Sequence, residues 1–420
     1  MTFMKKKHFL LIALMCLASF SAVQAQEEEG TPLDKLAARI EILENSVSTL
    51  SKFKISGYVQ AQYQSGQRDA SLKAGTGKNA TEDHFNRFGI RRARVKIAYT
   101  DTKLGTAVFQ VDLSDDGSVK VKDAYYQFTE PVFGVVSLKA GIYDRPFGNE
   151  ISYSSSRRES PERSTVTLTL FPDEREVGGM LILQAPKGHP LNFLKLEAGL
   201  FGGNGIAKDN DNKKDFIGHL SAAKSNASGS MQWGLGTSLY YGKVYQGTAN
   251  VYSMQNKQFV LSNDASNLGA HASRKYLGLD GQLMLTSPVG LTNIRSEYLF
   301  GTQPGTADKS GSPKGSTLPS TDTYIRDFNG GYVYVVQDIA TTKHSLVLKY
   351  DWYDPNTKVE KQEALTKGDQ TIKTYGLGYL YRMNSAVRLM VYYDAVKGEK
   401  TAVSSDKKDN LWTVRLQYKF

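Results

Sequence analysis

The 420-residue chain has one cysteine, Cys16. A single thiol excludes an internal disulfide and any cysteine-based metal cage. Histidine is scarce as well. His84, His189, His219, His271 and His344 follow His8, and none has the spacing of a metal site or of a Ser/His/Asp arrangement. No metal or cofactor is expected, and an enzyme is the weaker reading. Long hydrophobic runs are missing too. The stretch from Phe9 to Phe20 is too short for a spanning helix, which needs roughly 20 apolar residues, and no later segment approaches that length.

The apolar stretch follows Lys5, Lys6 and Lys7 and precedes Val23-Gln24-Ala25, the three parts of a secretory signal. Residues 1–25 are therefore expected to be a signal peptide, with the mature chain starting at Gln26. Met15 stands before Cys16 where a lipoprotein signal has a small residue, so lipidation is not expected. Cleavage removes three lysines and no acids, taking the formal charge from +10 to +7. A moderately basic balance suits nucleic acid, an anionic membrane surface or anionic solutes alike.

Residues 26–54 form a second region. Glu27, Glu28 and Glu29, then Gly30 and Pro32, make an acidic lead. Leu33, Leu36, Ile40, Leu43, Val47 and Leu50 then step by three and four, which predicts one apolar stripe on a helix of about three heptads. So short a helix is marginal alone. It either pairs with copies of itself as a coiled coil or lies against another surface.

From Ile55 to Phe420 the period is two. Trp412, Val414, Leu416, Tyr418 and Phe420 alternate with Thr413, Arg415, Gln417 and Lys419, giving one apolar and one polar face. Comparable alternation runs through Gly105 to Leu113, Val136 to Tyr143, Leu194 to Leu200, Leu277 to Leu285, Leu346 to Trp352 and Val387 to Asp394. The polar faces carry charges of both signs. A wall between lipid and water has this pattern, and a terminal phenylalanine on the apolar face fits the closing strand of an outer-membrane barrel. The fold class is therefore all-β, a transmembrane antiparallel barrel of about sixteen strands around a wet lumen, preceded by a short helix. Its place is the outer membrane of a Gram-negative bacterium, with outer-membrane lipid around it. The polar inserts 66–86, 203–213, 246–273, 302–328 and 355–370 read as extracellular loops. The insert of about 145–176 carries Phe147, Ile151, Tyr153, Val166, Leu168, Leu170 and Phe171, too apolar to stay in solvent. It is expected to fold inward and narrow the pore.

In such a channel, selection works through charge. Arg92, Arg94 and Lys96 share one strand face and are expected on the lumen wall. Arg91 has the lipid parity, so it must sit near an interface or beyond a bulge that re-aims it. Arg145, Arg157, Arg158, Arg163 and Arg175 lie on or beside the inward insert. Arginine keeps its charge and offers a donor fork to phosphate or carboxylate oxygens. Equally, Arg157, Arg158 and Arg163 could pair with Glu159, Glu162 and Asp173 merely to hold the loop. A secreted barrel has little use for a nucleic-acid patch, so no nucleic acid is expected as a partner.

An ordered set of motifs carries a resemblance. These are Gly89-Ile90-Arg91-Arg92-Ala93-Arg94, Asp123-Ala124-Tyr125, Ala140-Gly141-Ile142-Tyr143-Asp144-Arg145-Pro146-Phe147-Gly148, Glu162-Arg163-Ser164, Gly199-Leu200-Phe201-Gly202-Gly203-Asn204-Gly205 and Tyr350-Asp351-Trp352-Tyr353-Asp354-Pro355-Asn356. In that order they are similar to the phosphate-selective porin O/P family, of the kind found in Bacteroidetes. The resemblance implies a homotrimer of sixteen-stranded barrels with the third loop folded inward, passing small anions such as phosphate. It also implies an anion site formed by Arg91, Arg92, Asp123, the pair Ser156-Arg157, and Arg163. One departure weakens phosphate specificity: Tyr58 stands where phosphate-selective members carry a lumen arginine. A general diffusion porin is the alternative, with a barrel enzyme or a structural anchor behind it.

Overall fold

The computed structural model describes residues 32–70, 72, 83–101, 105–113, 118–359, 365–401, 403 and 409–420. The expected signal peptide, Cys16 and most of the acidic lead lie outside the described residues. Two units are distinct, residues 1–52 and 53–420. In the first, helix α1 runs Pro32–Ser51. Proline suits its first turn because the missing N–H would have no partner there. Leu36, Ile40, Leu43, Val47 and Leu50 are all exposed.

The second unit begins with β1 (Phe53–Gln67), followed by β2 (His84–Asp101), β3 (Gly105–Leu113), β4 (Val119–Thr129), β5 (Val136–Asp144), β6 (Arg175–Leu183), β7 (Leu194–Phe201), β8 (Asp215–Ser225) and β9 (Met231–Tyr245). After these come β10 (Asn250–Gln255), β11 (Gln258–Asn263), β12 (His271–Ser287), β13 (Gly290–Gly305), β14 (Thr323–Asp338), β15 (His344–Asp354), β16 (Ile372–Arg382), β17 (Val387–Gly398) and β18 (Leu411–Lys419). Sixteen of these strands pair antiparallel with their neighbours, and β18 pairs back to β1, so the sheet closes without an edge. The other two, β10 and β11, form a hairpin within the insert expected as plain loop. There β10 runs parallel to the start of β14, from Val251 opposite Thr323 to Ser253 opposite Ile325. Tyr252 stacks on Tyr324 at 4.3 Å, which gives that polar insert an apolar reason to order.

Closure is tight at the chain's end. The Gly57 N–H donates to the Phe420 carbonyl at 3.0 Å, and the Phe420 N–H donates to the Gly57 carbonyl at 3.0 Å. The Phe420 ring lies over Gly57, where a Cβ would come within 2.5 Å of the ring. Any side chain there would displace the last residue.

Alternation separates the two faces. Val59, Ile90, Val95, Ile97, Phe109, Leu138, Leu200, Leu279, Leu348, Leu377, Trp412 and Leu416 point outward and are exposed. Gln60, Gln62, Arg92, Arg94, Asp112, Asp123, Glu297, Asp351, Asp394 and Arg415 point inward and are buried. No helix among the described residues is long and apolar enough to cross a membrane. One end of the barrel carries short turns. In the turn after β4, the Glu130 carboxylate accepts from the N–H groups of Val132, Phe133 and Val135 at 2.8–3.1 Å. Those bonds, led by Phe133, hold its pKa below the ordinary carboxylate range. Long connections occupy the other end.

Residues 145–174, between β5 and β6, cross the interior. One side of the loop packs as a dry core: Phe147, Ile151, Val166, Leu170 and Phe171 meet Tyr240, Tyr276, Leu299, Phe328 and Tyr353 of the wall. Phe147 and Phe171 are 4.9 Å apart, and Phe171 meets Tyr276 edge-on at 5.8 Å. A short helix α2 (Thr165–Leu170) lies within it. Polar pins hold the rest. Glu297 on β13 accepts from the N–H groups of Asn149 and Glu150, and Asp351 on β15 accepts from Thr165 N–H at 3.0 Å. Gly148 has φ +59°, and a Cβ there would lie 2.4 Å from the Glu297 carboxylate, so glycine permits this approach. Across the lumen, Gln60 and Gln417 donate to the carbonyls of Ser155 and Ser156 at 3.1 and 2.9 Å. Arg388 donates to the carbonyls of Arg157 and Arg158, both at 3.0 Å.

Candidate functional site

Strand β2 brings the arginine run to the lumen through a β-bulge. Gln60 of β1 opposes Arg92, but the next residue, Ala61, opposes Ile90, leaving Arg91 without a partner. The outward parity switches from Phe88 and Ile90 to Ala93, Val95 and Ile97, so Arg91 and Arg92 both face inward. Strand β4 repeats the device. Gln110 opposes Asp123 while Val111 opposes Val121, so Lys122 is the unpaired residue and joins Asp123 inside. Lys122 is half-buried and within electrostatic reach of Glu174, Arg94, Arg175 and Asp173.

The arginines sort around two carboxylates of the loop. Glu162 takes both nitrogens of a fork from Arg91, Nε at 2.6 Å and Nη2 at 2.8 Å, and Nη2 of Arg92 at 3.1 Å. Arg415 of β18 reaches it at 3.5 Å and Arg158 at 4.0 Å. Burial opposes the charge on Glu162, but Arg91 and Arg92 hold its carboxyl well below the ordinary range. Glu174 is the second centre, bonded to Arg163 and, at 2.5 Å, to Arg175. Burial again opposes the charge, and Arg163 and Arg175 again hold the carboxyl low. Arg175 further pairs with Asp123 at 3.0 Å and Asp144 at 3.1 Å. Arg163 donates to the carbonyls of Glu150, Ile151 and Tyr153 at 2.9–3.2 Å, so its guanidinium is used up inside the loop.

Below the loop, towards the short turns, lies a cavity of about 520 Å³ lined by Lys54, Tyr58, Arg94, Lys96, Ser154–Ser156, Arg157 and Lys419 among others. Arg94 is paired with Asp112 at 2.8 Å. Lys54, Lys96, Arg157 and Lys419 make no ion pair among the described residues. Tyr58 is a loop anchor: its hydroxyl donates to Ser155 Oγ at 3.2 Å, and the Arg94 guanidinium sits 5.8 Å from its ring.

The sequence-derived candidates thus share one region but divide by surroundings. Arg91, Arg92 and Arg158 surround Glu162; Arg163 and Arg175 hold Glu174, with Asp123 on Arg175, and border the cavity that Tyr58, Arg94, Lys96, Ser156 and Arg157 also line. The loop pairings differ in detail from those weighed on the sequence. Glu159 pairs with Arg295 of β13, and Asp173 with Lys314 at 2.8 Å, because wall and loop residues reach these acids while Arg157 points into the cavity. Arg415, Glu162 and Lys122 are the participants the sequence reading did not single out as site residues. The parity switch at Val121 to Ala124 was the available signal for Lys122. Among the described residues no cluster of His, Cys, Asp and Glu could hold a metal ion.

Comparisons with known proteins agree with this architecture. The sequence profile described as phosphate-selective porin O and P matches residues 53–420. No curated protein matches the chain. Solved structures share the fold at low identity. OprB of Pseudomonas putida has a TM-score of 0.57 at 10% identity, over 90% of this chain and 97% of its own. The outer-membrane channel DcaP of Acinetobacter baumannii has 0.52 at 13%, over 88% and 97%. The trimer form of OmpT, an outer-membrane protein of Vibrio cholerae, has 0.51 at 13%, over 88% and 99%. With a closed sixteen-strand barrel, a loop across its lumen and a family match over nearly the whole chain, this protein belongs to the phosphate-selective porin O and P family and is an outer-membrane diffusion channel.

Proposed function

We propose that the channel prefers anions, phosphate or related oxyanions among them, and works as a homotrimer. One observation carries the preference. Lys54, Lys96, Arg157 and Lys419 line the lower cavity with no carboxylate partner among the described residues, whereas Asp123 and Asp144 on the same lining are paired with Arg175 and the other arginines at the loop are neutralised by Glu162, Glu174 and Asp112. The free cations, with Lys122 above them, supply the field that a permeating anion meets. The hydroxyls of Ser154 and Ser156 beside Arg157 add donors. The family's description supplies phosphate as the class of ion, and the solved OmpT trimer supports the trimer. Neutralised arginines favour a moderate preference and weak binding, which conduction needs.

The test is a planar-bilayer reversal potential in a potassium chloride gradient, followed by phosphate titration. Wild type should be anion-preferring, with phosphate reducing the chloride current. Lys96→Gln with Arg157→Gln should lower the preference about two- to fivefold per charge, as roughly 0.5–1 kcal/mol for a partly solvated cation implies. An unchanged reversal potential would show that these cations do not set selectivity. A nonselective wild type would leave a general diffusion porin.

A further inference from the structure

The Glu162 carboxylate is met by more positive charge than it can neutralise. Four guanidiniums converge on it from three elements: Arg91 and Arg92 from β2, Arg415 from β18 and Arg158 from the loop itself. Arg92, Arg158 and Arg415 are each about 2% exposed. Burying one carboxylate with four arginines leaves repulsion among the cations that a single anion only partly relieves. The donors are not all used either. Arg92 Nε and Arg158 Nη1 are buried without a hydrogen-bond partner among the described residues. Such a cradle is built for the forked oxygens of an anion, and the anion present is part of the chain.

We infer that Glu162 is the tethered occupant of an oxyanion-binding cradle formed by Arg91, Arg92, Arg158 and Arg415, and that it keeps this cradle from capturing permeating oxyanions. The fork of Arg91 fixes the plane of the carboxylate, and Arg92 closes on the same oxygen as Arg91 Nη2. Formate, acetate, hydrogencarbonate and phosphate all present that pair of oxygens. A free oxyanion among four arginines, held by charge-assisted bonds in a water-poor place, would leave slowly and plug the pore. A tethered carboxylate satisfies the same donors at high effective concentration and excludes the competitor. The inference concerns the loop junction, not the lower cavity, and holds whether or not the whole channel prefers anions.

Glu162→Ala removes atoms equal in number and kind to an acetate ion. Acetate should therefore refill the cradle. In planar bilayers, chloride current through E162A should be blocked by acetate at a concentration about tenfold or more below that affecting wild type, a ratio one charge-assisted hydrogen bond suffices to give. The heat resistance of the assembled barrel should fall in E162A and recover in acetate but not in chloride at equal ionic strength. Glu162→Gln, which fills the space without the charge, should show neither block nor recovery. If E162A assembles poorly, refolding in acetate should restore the yield. Equal acetate sensitivity in E162A and wild type would overturn the inference, as would failure of acetate to restore stability or assembly. The wild-type reversal potential, read in the same bilayers, judges anion preference separately. A cation-preferring wild type beside an acetate-blocked E162A would remove the proposed selectivity and leave the cradle standing.

Discussion

Arg157 and Arg163 stand six residues apart on the same loop and have opposite surroundings. Arg163 gives its nitrogens to three loop carbonyls and to Glu174, and almost none of it is exposed. Arg157 faces the lower cavity, makes no ion pair among the described residues and has the Tyr153 ring 5.7 Å away. Breaking one side of a buried ion pair costs about 3–5 kcal/mol because the other charge stays behind. Arg163→Ala should therefore loosen the loop, giving larger, noisier single-channel currents and a barrel that dissociates at lower temperature. Arg163→Lys keeps the charge but not the planar fork, so it should fall between. Arg157→Ala should change the reversal potential and leave heat resistance as it was. Single-channel recording and a thermal dissociation series separate the two. Wild-type conductance and stability in Arg163→Ala would make that arginine dispensable to the loop.

At the scale of the strand, the two bulges decide which charges reach water. Alternation alone would send Arg91 and Lys122 to lipid, at a cost of about 2–4 kcal/mol each near the bilayer midplane. One extra residue in β2 and one in β4 turn both inward, next to Arg92 and Asp123. Cys16 is the only cysteine in the sequence, so the barrel can carry an introduced thiol cleanly. Lys122→Cys should react with a charged, membrane-impermeant thiol reagent and reduce the current on reaction, whereas Val121→Cys should not. The reverse result would move the bulge. These positions also show how far the sequence could be read. The barrel was legible in Trp412 to Phe420, because lipid and water put opposite demands on adjacent residues. The inward loop was legible in Phe147, Ile151 and Phe171, too apolar to remain in solvent. For Arg91 the sequence left an interface position or a bulge open, and the structure has the bulge, while Lys122 passed unnoticed although the apolar parity changes between Val121 and Ala124. Of the loop pairings weighed on the sequence, Arg158 with Glu162 is found, at 4.0 Å, while the partners that join loop to wall were not legible. Glu162 meets Arg91 and Arg415 only because the loop crosses from β5 to the stretch of wall where β1 lies between β18 and β2, and local spacing carries no trace of that path.

For the whole molecule, the loop is held in part by carboxylates that lie outside the spanning strands, and their ionisation contributes to how the channel responds to acid. Burial works against charge on Glu162 and Glu174, but Arg91 and Arg92 in one case and Arg163 and Arg175 in the other hold both carboxyls well below the ordinary range. Asp173, where burial also opposes the charge, is held low by Lys314. A carboxyl with a depressed pKa in the folded state stabilises that state fully above its unfolded value, about 4.3 for glutamate, and the contribution is lost as pH falls through the lower folded value. The docked loop should therefore keep its hold from neutral pH down to about 5 and release it only in stronger acid. Conductance and reversal potential should be flat across that upper range and shift together below it, towards a wider and noisier channel. Glu162→Gln with Glu174→Gln should already show the loosened behaviour at pH 7 and lack the acid step. A transition between pH 5 and 7 would mean that an acid other than Glu162 and Glu174, such as Glu297 beneath Asn149 and Glu150, governs the release of the loop.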